Sequence, residues 1–330
     1  MLFNPTKAEL EKFRSECLPE FAAFDIAWRE SLTSKVALID KMIGYITDQR
    51  GKGLRPLLTF LAAKVYGETN PATITSALVM ELLHTATLIH DDVVDDSDTR
   101  RGFASLKAVW NNKISVLFGD FLLARSLSCT VELKRFEALD VLAEISKRMA
   151  KGELQEAALG RDLESNEDEY LEMISDKTAA LVSGAIRLGV LTTAPADTSL
   201  EEWKAFGEDL GIAFQIRDDI LDYTGRSGLL GKPVGGDIRD SKITLPLLCA
   251  FKKAGETEKR QVLSRIKSGV KRRDAKEILS FVKQYQGAEE AQQIANRYAD
   301  RAIEQLEKFP ANAARERLAK FARFAVNREY

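Results

Sequence analysis

Residues 88–102 read LIHDDVVDDSDTRRG and place five aspartates directly after an apolar run. At about 4 Å and an effective dielectric constant near 20, two like charges repel each other by roughly 4 kcal/mol. A cost of that size must be offset by something that the aspartates bind. On an α-helix, Asp91 and Asp95 lie about 40° apart on one face. The stretch therefore predicts two carboxylates that act together.

The same pattern occurs a second time further along the chain. Residues 89–95 read IHDDVVD and residues 216–222 read IRDDILD, so that Asp218 and Asp222 share a helix face as Asp91 and Asp95 do. A solvated surface has no reason to repeat a pattern of this length. Ligand sets made only of oxygen suit a hard cation, and Mg²⁺ usually takes one or two carboxylates together with waters and substrate phosphates. The repeat therefore predicts magnesium sites that face a polyphosphate.

Helical periodicity dominates the chain and predicts an all-α fold. There are 8 prolines in 330 residues, and the alternation that is typical of strands is almost missing. Apolar residues recur every three or four positions from Pro71 into the first aspartate cluster, and Asn70 is a suitable cap for this helix. A second long helix is predicted over about residues 200–223. No Ser/Gly/Pro-rich linker divides the chain, so we expect one domain over residues 1–330.

The composition of the chain indicates which classes of partner and which cellular location to expect for the protein. The chain has a net charge of −2 and lacks the excess of basic residues that is typical of nucleic-acid-binding proteins. The 3 cysteines are isolated and lack metal-type spacing, which favours a reducing compartment and a cytoplasmic location. The first residues do not resemble a secretory signal, and no uninterrupted apolar run is long enough to predict a transmembrane segment.

Basic residues stand near both clusters and in two other segments, where they could neutralise phosphate oxygens. The segment GKGLRP, residues 51–56, lacks the spacing of a P-loop. The candidate phosphate-binding residues are Lys52, Arg55, Arg100, Arg101, Lys177, Lys232 and Lys242.

From about residue 51 to residue 248 the sequence resembles the trans-prenyl diphosphate synthases. HDDVVDDSDTRRG resembles the first aspartate-rich motif of that family and FQIRDDILDYTG the second, and GKGLRP, DKTAAL and GKPVGGDIRDSKITLP resemble its other signature segments in the same order. The resemblance implies a bundle of long, mostly antiparallel helices around a central cavity, with the two clusters facing each other, and a homodimer. It also implies that the protein condenses isopentenyl diphosphate with an allylic diphosphate and uses two or three Mg²⁺ ions.

The resemblance also implies roles for individual residues. Direct magnesium ligands would be Asp91, Asp95 and Asp218, with Asp92, Asp219 and Asp222 in supporting or water-mediated roles. The allylic diphosphate would be held by Arg100, Lys177, Lys232 and Lys242. The isopentenyl diphosphate would be held by Lys52, Arg55, His84 and Arg101. The groups that face the allylic cation would be Lys177, Thr178 and Gln215, although Gln215 could instead be a helix cap or a core hydrogen-bond partner.

Two positions depart from the pattern of the family. Gly53 stands where many members carry a basic residue, and Ser241 stands where a glycine often precedes the equivalent of Lys242. Neither departure removes a residue that has an assigned role.

Product length is predicted from the turn of helix before Asp91. The growing chain should descend alongside this helix, where short-chain relatives often carry bulky aromatic residues. Here the positions hold Ala86 and Thr87, which leave a tunnel open and predict a long product of the hepta-, octa- or nonaprenyl class. A long product could bring the protein to a membrane surface. An alanine that simply allows close helix packing is the competing interpretation.

Three other functions fit parts of the pattern. A farnesyl or geranylgeranyl diphosphate synthase would share both clusters and differ only in product length. A terpene cyclase needs no second diphosphate site, so the set Lys52, Arg55 and Arg101 argues against it. A non-catalytic regulatory subunit would be expected to lose one aspartate cluster, and this chain keeps both.

Overall fold

The computed structural model describes residues 7–49, 51–100, 102–162, 166–224 and 235–329. Helices make up almost all of this part, which confirms the all-α prediction. The α-helices are α1 (Lys7–Ser15), α2 (Leu18–Leu32), α3 (Ala37–Asp48), α4 (Leu54–Ala63), α5 (Pro71–Val94), α6 (Leu106–Trp110), α7 (Asn112–Glu132), α8 (Phe136–Asp162), α9 (Glu167–Ile174), α10 (Ala180–Leu191), α11 (Leu200–Thr224), α12 (Gly236–Arg239), α13 (Leu245–Lys253), α14 (Glu256–Lys267), α15 (Arg272–Gln284), α16 (Gly287–Leu306) and α17 (Ala313–Asn327). A π-helical turn, Ser175–Ala179, joins α9 to α10.

The strands of the described residues form a single short hairpin. β1 (Thr99–Arg100) and β2 (Phe103–Ala104) run antiparallel, with Thr99 opposite Ala104. The hairpin directly follows the first aspartate cluster and turns the chain back towards α6.

Helix α5 begins where the sequence predicts. The Asn70 side chain accepts a hydrogen bond from the Thr73 N–H at 3.2 Å, and the Thr73 hydroxyl accepts one from the Asn70 N–H at 3.1 Å. This reciprocal cap satisfies N–H groups that have no partner within the helix. The helix ends at Val94, with Asp95 as its C-cap, so Asp91 and Asp92 occupy its last turn.

Helix α11 also matches its predicted bounds and is buried on most sides. Its first half, including Trp203 and Phe206, belongs to one buried apolar cluster, which it shares with α4, α5 and α10. Its second half, including Ile216 and Ile220, belongs to another, which it shares with α13 and α16. The helix that carries the second aspartate cluster therefore connects both parts of the core.

Helices α4 and α10 pack with their backbones in contact. A Cβ atom at Gly189 would lie 2.2 Å from the Thr59 carbonyl oxygen, and the Thr59 hydroxyl donates to the Ala185 carbonyl at 3.0 Å. This contact fixes α4, and with it Arg55, against the helix that follows the π turn.

The sequence has no uninterrupted apolar run that predicts a transmembrane segment, and among the described residues two helices reach the length and mean hydropathy of one. By length and composition α5 and α7 would both qualify, because isolated polar residues interrupt their apolar runs without lowering the average much. In α5, 67% of the apolar window is buried inside the protein, as in the core helix of a bundle; in α7 the share is 39%. All three cysteines are buried and unpaired.

Candidate active site

The first aspartate cluster lies at the carboxyl end of α5. Asp92 is buried, and its Oδ1 accepts a hydrogen bond from Arg100 Nε of the following hairpin at 2.7 Å. Asp95 is partly exposed and lies 3.8 Å from Lys242 Nζ. Asp92 therefore anchors the hairpin, while Asp91 and Asp95 carry the negative charge that the protein leaves partly unneutralised.

The surroundings of Asp91 disfavour its negative charge. Burial and the nearby carboxylate of Glu153 raise the pKa of Asp91 to about 7, against the opposing effect of Lys177 and Arg100. Asp95 adds a further negative charge. A cation that binds here would remove the repulsion that the sequence implies.

The second cluster on α11 is held by hydrogen bonds at two of its three aspartates. Asp219 is buried and accepts hydrogen bonds from the Tyr170 hydroxyl at 2.6 Å and from Gln215 Nε2 at 2.7 Å. Its pKa is raised well above the ordinary value, first by burial and then by the negative charge of Asp237. Asp218 forms an ion pair with Arg328 at 2.7 Å.

Asp222 is the third member of the second cluster. Its two carboxylate oxygens accept the N–H groups of Gly236 and Asp237, each at 3.0 Å, at the start of α12. The short α12 is followed by Ser241, whose φ of 61° lies in the left-handed region that favours glycine. This backbone conformation explains why a glycine suits the position before Lys242.

Two glutamates of α8 connect the basic residues of the site. Lys177 Nζ lies 2.6 Å from Glu156 and 2.9 Å from Glu153. Lys242 Nζ lies 3.4 Å from the same Glu156 oxygen. Burial alone would lower the pKa of Lys177, but these carboxylates raise it, so the ammonium stays charged. Both lysines therefore lie close to the first cluster and are paired with glutamates of α8.

A pocket that several basic residues line lies next to the second cluster. It has a volume of about 570 Å³ and is lined by residues of α4, α5 and α11 together with Arg328. A smaller pocket of about 60 Å³, next to Asp92 and Arg100, shares Gly51, Glu81 and His84 with it. The predicted residues that the larger pocket brings together are Lys52, Arg55, His84 and Asp218.

Thr178 and Gln215 meet between the π turn and α11. The Thr178 hydroxyl donates to Gln215 Oε1 at 2.9 Å, and the Gln215 amide donates in turn to Asp219. Thr178 also lines a small cavity with Arg55 and Phe214. Gln215 thus has the hydrogen bonds of a core partner and lies next to the second cluster, so both predicted roles stay compatible with its position.

The two residues that are predicted to set product length lie on α5. Ala86 is buried and Thr87 is half-buried, with its hydroxyl bonded to the His84 carbonyl at 2.9 Å. Their role in product length stays a prediction. Arg101 and Lys232 lie outside the described residues.

Four residues of the site were not predicted from the sequence: Glu153, Glu156, Tyr170 and Arg328. The two glutamates lie three positions apart in KGELQEA, which on a helix puts them on one face, so their spacing could have indicated them. Tyr170 and Arg328 are joined to Asp219 and Asp218 only by tertiary contacts, for which the sequence has no local signal.

The donor set fits a hard cation that also binds substrate phosphates. Within the ranges that the structure describes, no group of three or more His, Cys, Asp or Glu side chains converges on one point. The available ligands are carboxylate oxygens in pairs, which is the arrangement in which Mg²⁺ keeps waters and phosphates in its other positions. Asp92, Asp219 and Asp222 are already engaged by protein donors, which leaves Asp91 and Asp95 as the carboxylates with the fewest such partners.

Comparison with known proteins identifies the class. The model of the polyprenyl synthetase family matches residues 36–283. The octaprenyl diphosphate synthase of Escherichia coli (strain K12) is 35% identical over 97% of this chain and 99% of its own, and the all-trans-nonaprenyl-diphosphate synthase (geranyl-diphosphate specific) of Rhodobacter capsulatus is 35% identical over 94% and 95%. A polyprenyl synthase of Caulobacter crescentus, solved with calcium and isoprenyl diphosphate, superposes with a TM-score of 0.92 at 35% identity over 99% of this chain and 100% of that chain.

The fold and these matches define an isoprenoid-forming transferase. The chain belongs to the polyprenyl synthetase family. It is a prenyl diphosphate synthase.

Proposed function

We propose that this protein condenses isopentenyl diphosphate with an allylic diphosphate, head to tail and in trans, and releases a long-chain polyprenyl diphosphate and diphosphate. The observation that carries the proposal is the presence of two aspartate clusters, at the ends of α5 and α11, together with a pocket beside the second cluster that Lys52, Arg55 and His84 line. The reaction has two diphosphate substrates, and each of them needs its own set of positively charged groups to bind it. The octaprenyl and nonaprenyl names of its relatives support the long product.

The clusters and lysines divide the work on the allylic diphosphate. Bound Mg²⁺, in two or three ions, would supply Lewis-acid stabilisation of the leaving group, held by Asp91, Asp95 and Asp218. Lys177 and Lys242 give up their contacts with Glu156 to bind the diphosphate oxygens, and Arg100 holds the hairpin through Asp92. Fixed cations around the leaving group favour the transition state, in which negative charge develops on the bridging oxygen.

The basic pocket orients the second substrate. Lys52, Arg55 and His84 line it and bind the isopentenyl diphosphate. The carbon–oxygen bond of the allylic substrate breaks, the isopentenyl double bond supplies the electron pair of the new carbon–carbon bond, and a proton passes to the departing diphosphate. The hydroxyl and amide oxygens of Thr178 and Gln215 face the allylic cation and stabilise it, while the packed helices keep water away.

Helix α7 supports the homodimer that the resemblance implies. It exposes a stripe of apolar side chains at helical spacing, which includes Leu123, Leu127 and Val131. A second copy would remove this surface from water. We expect sedimentation to show a dimer, which Leu127→Lys weakens and which Ile26→Lys, an exposed apolar position on α2, leaves unchanged. A monomeric wild-type protein would contradict this part of the proposal.

A cytoplasmic location is also part of the proposal. It is supported by the three unpaired, buried cysteines, which suit a reducing compartment. A long product would bring the protein into contact with a membrane surface when it is released. Fractionation of cells that express the protein would test both statements.

The experiment that tests the reaction measures incorporation of labelled isopentenyl diphosphate into farnesyl diphosphate. We expect incorporation that depends on Mg²⁺ and stops with a chelator. Asp91→Asn should reduce it by several orders of magnitude and leave the helical content unchanged. Asp96→Asn is the matched control, since Asp96 is exposed, pairs with Lys107 at 2.5 Å and has no assigned role. No incorporation by the wild-type protein, or full activity of Asp91→Asn, would refute the proposal.

A further inference from the structure

The turn that carries Lys177 and Thr178 has an unusual backbone. In Ser175–Ala179 the Ala180 N–H reaches back five residues to the Ser175 carbonyl, instead of four as in an α-helix. A π turn of this kind accommodates one extra residue and changes the direction in which the following side chains point. Such turns are rare, so neighbouring groups must hold this one in place.

Arg148 of α8 binds the first two residues of the turn. Its Nε donates to Asp176 Oδ1 at 2.7 Å, and its Nη2 donates to the Ser175 hydroxyl at 2.9 Å and to the Ser175 carbonyl at 3.3 Å. Its Nη1 pairs with Glu208 of α11. One planar guanidinium therefore ties the turn to two helices at once.

The same face of α8 contacts the next residue of the turn. A Cβ atom at Gly152, one turn after Arg148, would lie 2.5 Å from the Lys177 nitrogen and 2.8 Å from its Cα. On the other side, a Cβ atom at Gly211 of α11 would lie 2.5 Å from the Ala179 Cα. The turn is thus enclosed between two helix backbones, and two basic residues of α8 bind its Asp176, namely Arg148 and Lys151, whose Nζ lies 3.0 Å from Asp176 Oδ2.

We propose that Arg148 is a positioning residue for the allylic-diphosphate side of the site. By fixing Ser175 and Asp176 it holds the π turn in the register that directs Lys177 and Thr178 to the substrate. Arg148 contacts Ser175 and Asp176 of the turn and Glu208 and Glu144 outside it, so its connection to Lys177 and Thr178 runs through the turn. The inference rests on the proposed function, because Lys177 and Thr178 are the groups that it positions.

Arg148→Met tests the proposal against a matched control. Misplacing a substrate-binding group by about 1 Å costs on the order of 100-fold in rate, so kcat/KM for the allylic substrate should fall by about 10–100-fold, with KM for isopentenyl diphosphate within about threefold of wild type. Arg187→Met is the control, because the buried Arg187 pairs with Glu144 of the same network at 2.7 Å without contacting the turn. The control should lose stability and keep kcat/KM within about threefold.

A double-mutant cycle shows whether Arg148 acts through Lys177. In a Lys177→Ala background, Arg148→Met should lower kcat/KM by a smaller factor than in the wild type, because one of the two groups that it positions is already gone. Hydrogen exchange at the amides of residues 176–180 should become faster in Arg148→Met and stay unchanged in Arg187→Met. This readout needs no turnover, so it separates failure of this inference from failure of the proposed reaction, which an inactive wild-type protein would reveal.

Three results would overturn the inference. They are an Arg148→Met protein with kcat/KM within threefold of wild type, equal losses in Arg148→Met and Arg187→Met, and effects of Arg148→Met and Lys177→Ala that add fully. If Arg148→Met does not fold, Arg148→Lys replaces it. Lysine keeps the charge and lacks the fork of donors, so the same comparisons apply.

Discussion

Arg328 Nη2 lies 2.7 Å from Asp218 Oδ1, so a residue that follows the last helix occupies an oxygen of a proposed metal ligand. The guanidinium also lies 3.9 Å from the centre of the Phe214 ring and donates to the Phe214 carbonyl at 3.1 Å. The Arg328 carbonyl in turn accepts from Arg217 at 2.7 Å and 2.8 Å. The segment after α17 is therefore bound to the helix that carries the second cluster.

Removing this side chain should destabilise the protein. Arg328 is buried, whereas Asp218 is partly exposed, so we expect Arg328→Ala to lower the free energy of unfolding by about 1–3 kcal/mol through lost hydrogen bonds and the lost ring contact. Arg323→Ala removes an exposed pair with Asp300 and should change it by less than about 0.5 kcal/mol. Denaturant unfolding measures both. Equal losses in the two variants would show that Arg328 is an ordinary surface residue.

Gly53, between Lys52 and α4, should not tolerate a side chain. Its φ is +64°, and a Cβ atom would lie 3.0 Å from both Arg14 and Phe21. Left-handed backbone costs a residue with a Cβ about 1–2 kcal/mol, so Gly53→Ala should destabilise by at least about 1 kcal/mol. Gly44→Ala is the control, because Gly44 is inside α3 and nothing lies within 4 Å of its added Cβ. We expect the control to be stabilised by about 0.5–1 kcal/mol in the same unfolding experiment; a neutral Gly53→Ala would contradict the account.

Because of Asp209, the free energy of unfolding should decrease as the pH rises from about 4 to about 6. Burial, only partly opposed by Arg301, raises its pKa from 3.8 to about 6, and Glu208 contributes to the rise. The folded protein therefore binds this proton more tightly than the unfolded chain, and the free energy of unfolding decreases as the pH rises through this window. Above pH 6, the charged and buried Asp209 lowers the free energy of unfolding by up to roughly 3 kcal/mol.

Asp209→Asn tests this titration. An asparagine can still accept the hydrogen bond from Gln305, which is 2.7 Å long, and has no charge to bury. The asparagine loses the pair with Arg301, which is 2.8 Å long, at every pH, so the test is the slope: from pH 4 to pH 7 the stability of the variant relative to wild type should rise by about 2–3 kcal/mol. Unfolding curves at several pH values measure this difference. Parallel pH profiles would show that Asp209 does not titrate as described.

Product length should respond to Ala86. The residue is 1% exposed, one turn before Asp91 on α5, and a phenylalanine there would block a tunnel beside this helix. We expect Ala86→Phe to shorten the product and Ala86→Ser to leave its length unchanged, as measured by chromatography of the dephosphorylated alcohols. An unchanged length in a folded Ala86→Phe variant would show that the tunnel does not pass this residue.

Local patterns explain which features could be predicted from the sequence. Periodicity and the Asn70 cap are properties of neighbouring residues, so α5, α11 and the aspartates on them could be placed correctly. The partners of those aspartates, such as Tyr170 and Arg328, come from distant helices and depend on packing. The π turn around Lys177 has no sequence signal either, because it is held by Arg148 and two glycines of other helices.

We propose above all that the protein synthesises long polyprenyl chains, with two aspartate clusters that hold Mg²⁺ and basic residues that bind the two diphosphates. The most direct measurement is the size of the products that the purified protein forms from farnesyl diphosphate, labelled isopentenyl diphosphate and Mg²⁺. We expect a product in the hepta- to nonaprenyl range. A product that stops at geranylgeranyl diphosphate would contradict the long-chain assignment, and the absence of any elongated product would contradict the synthase itself.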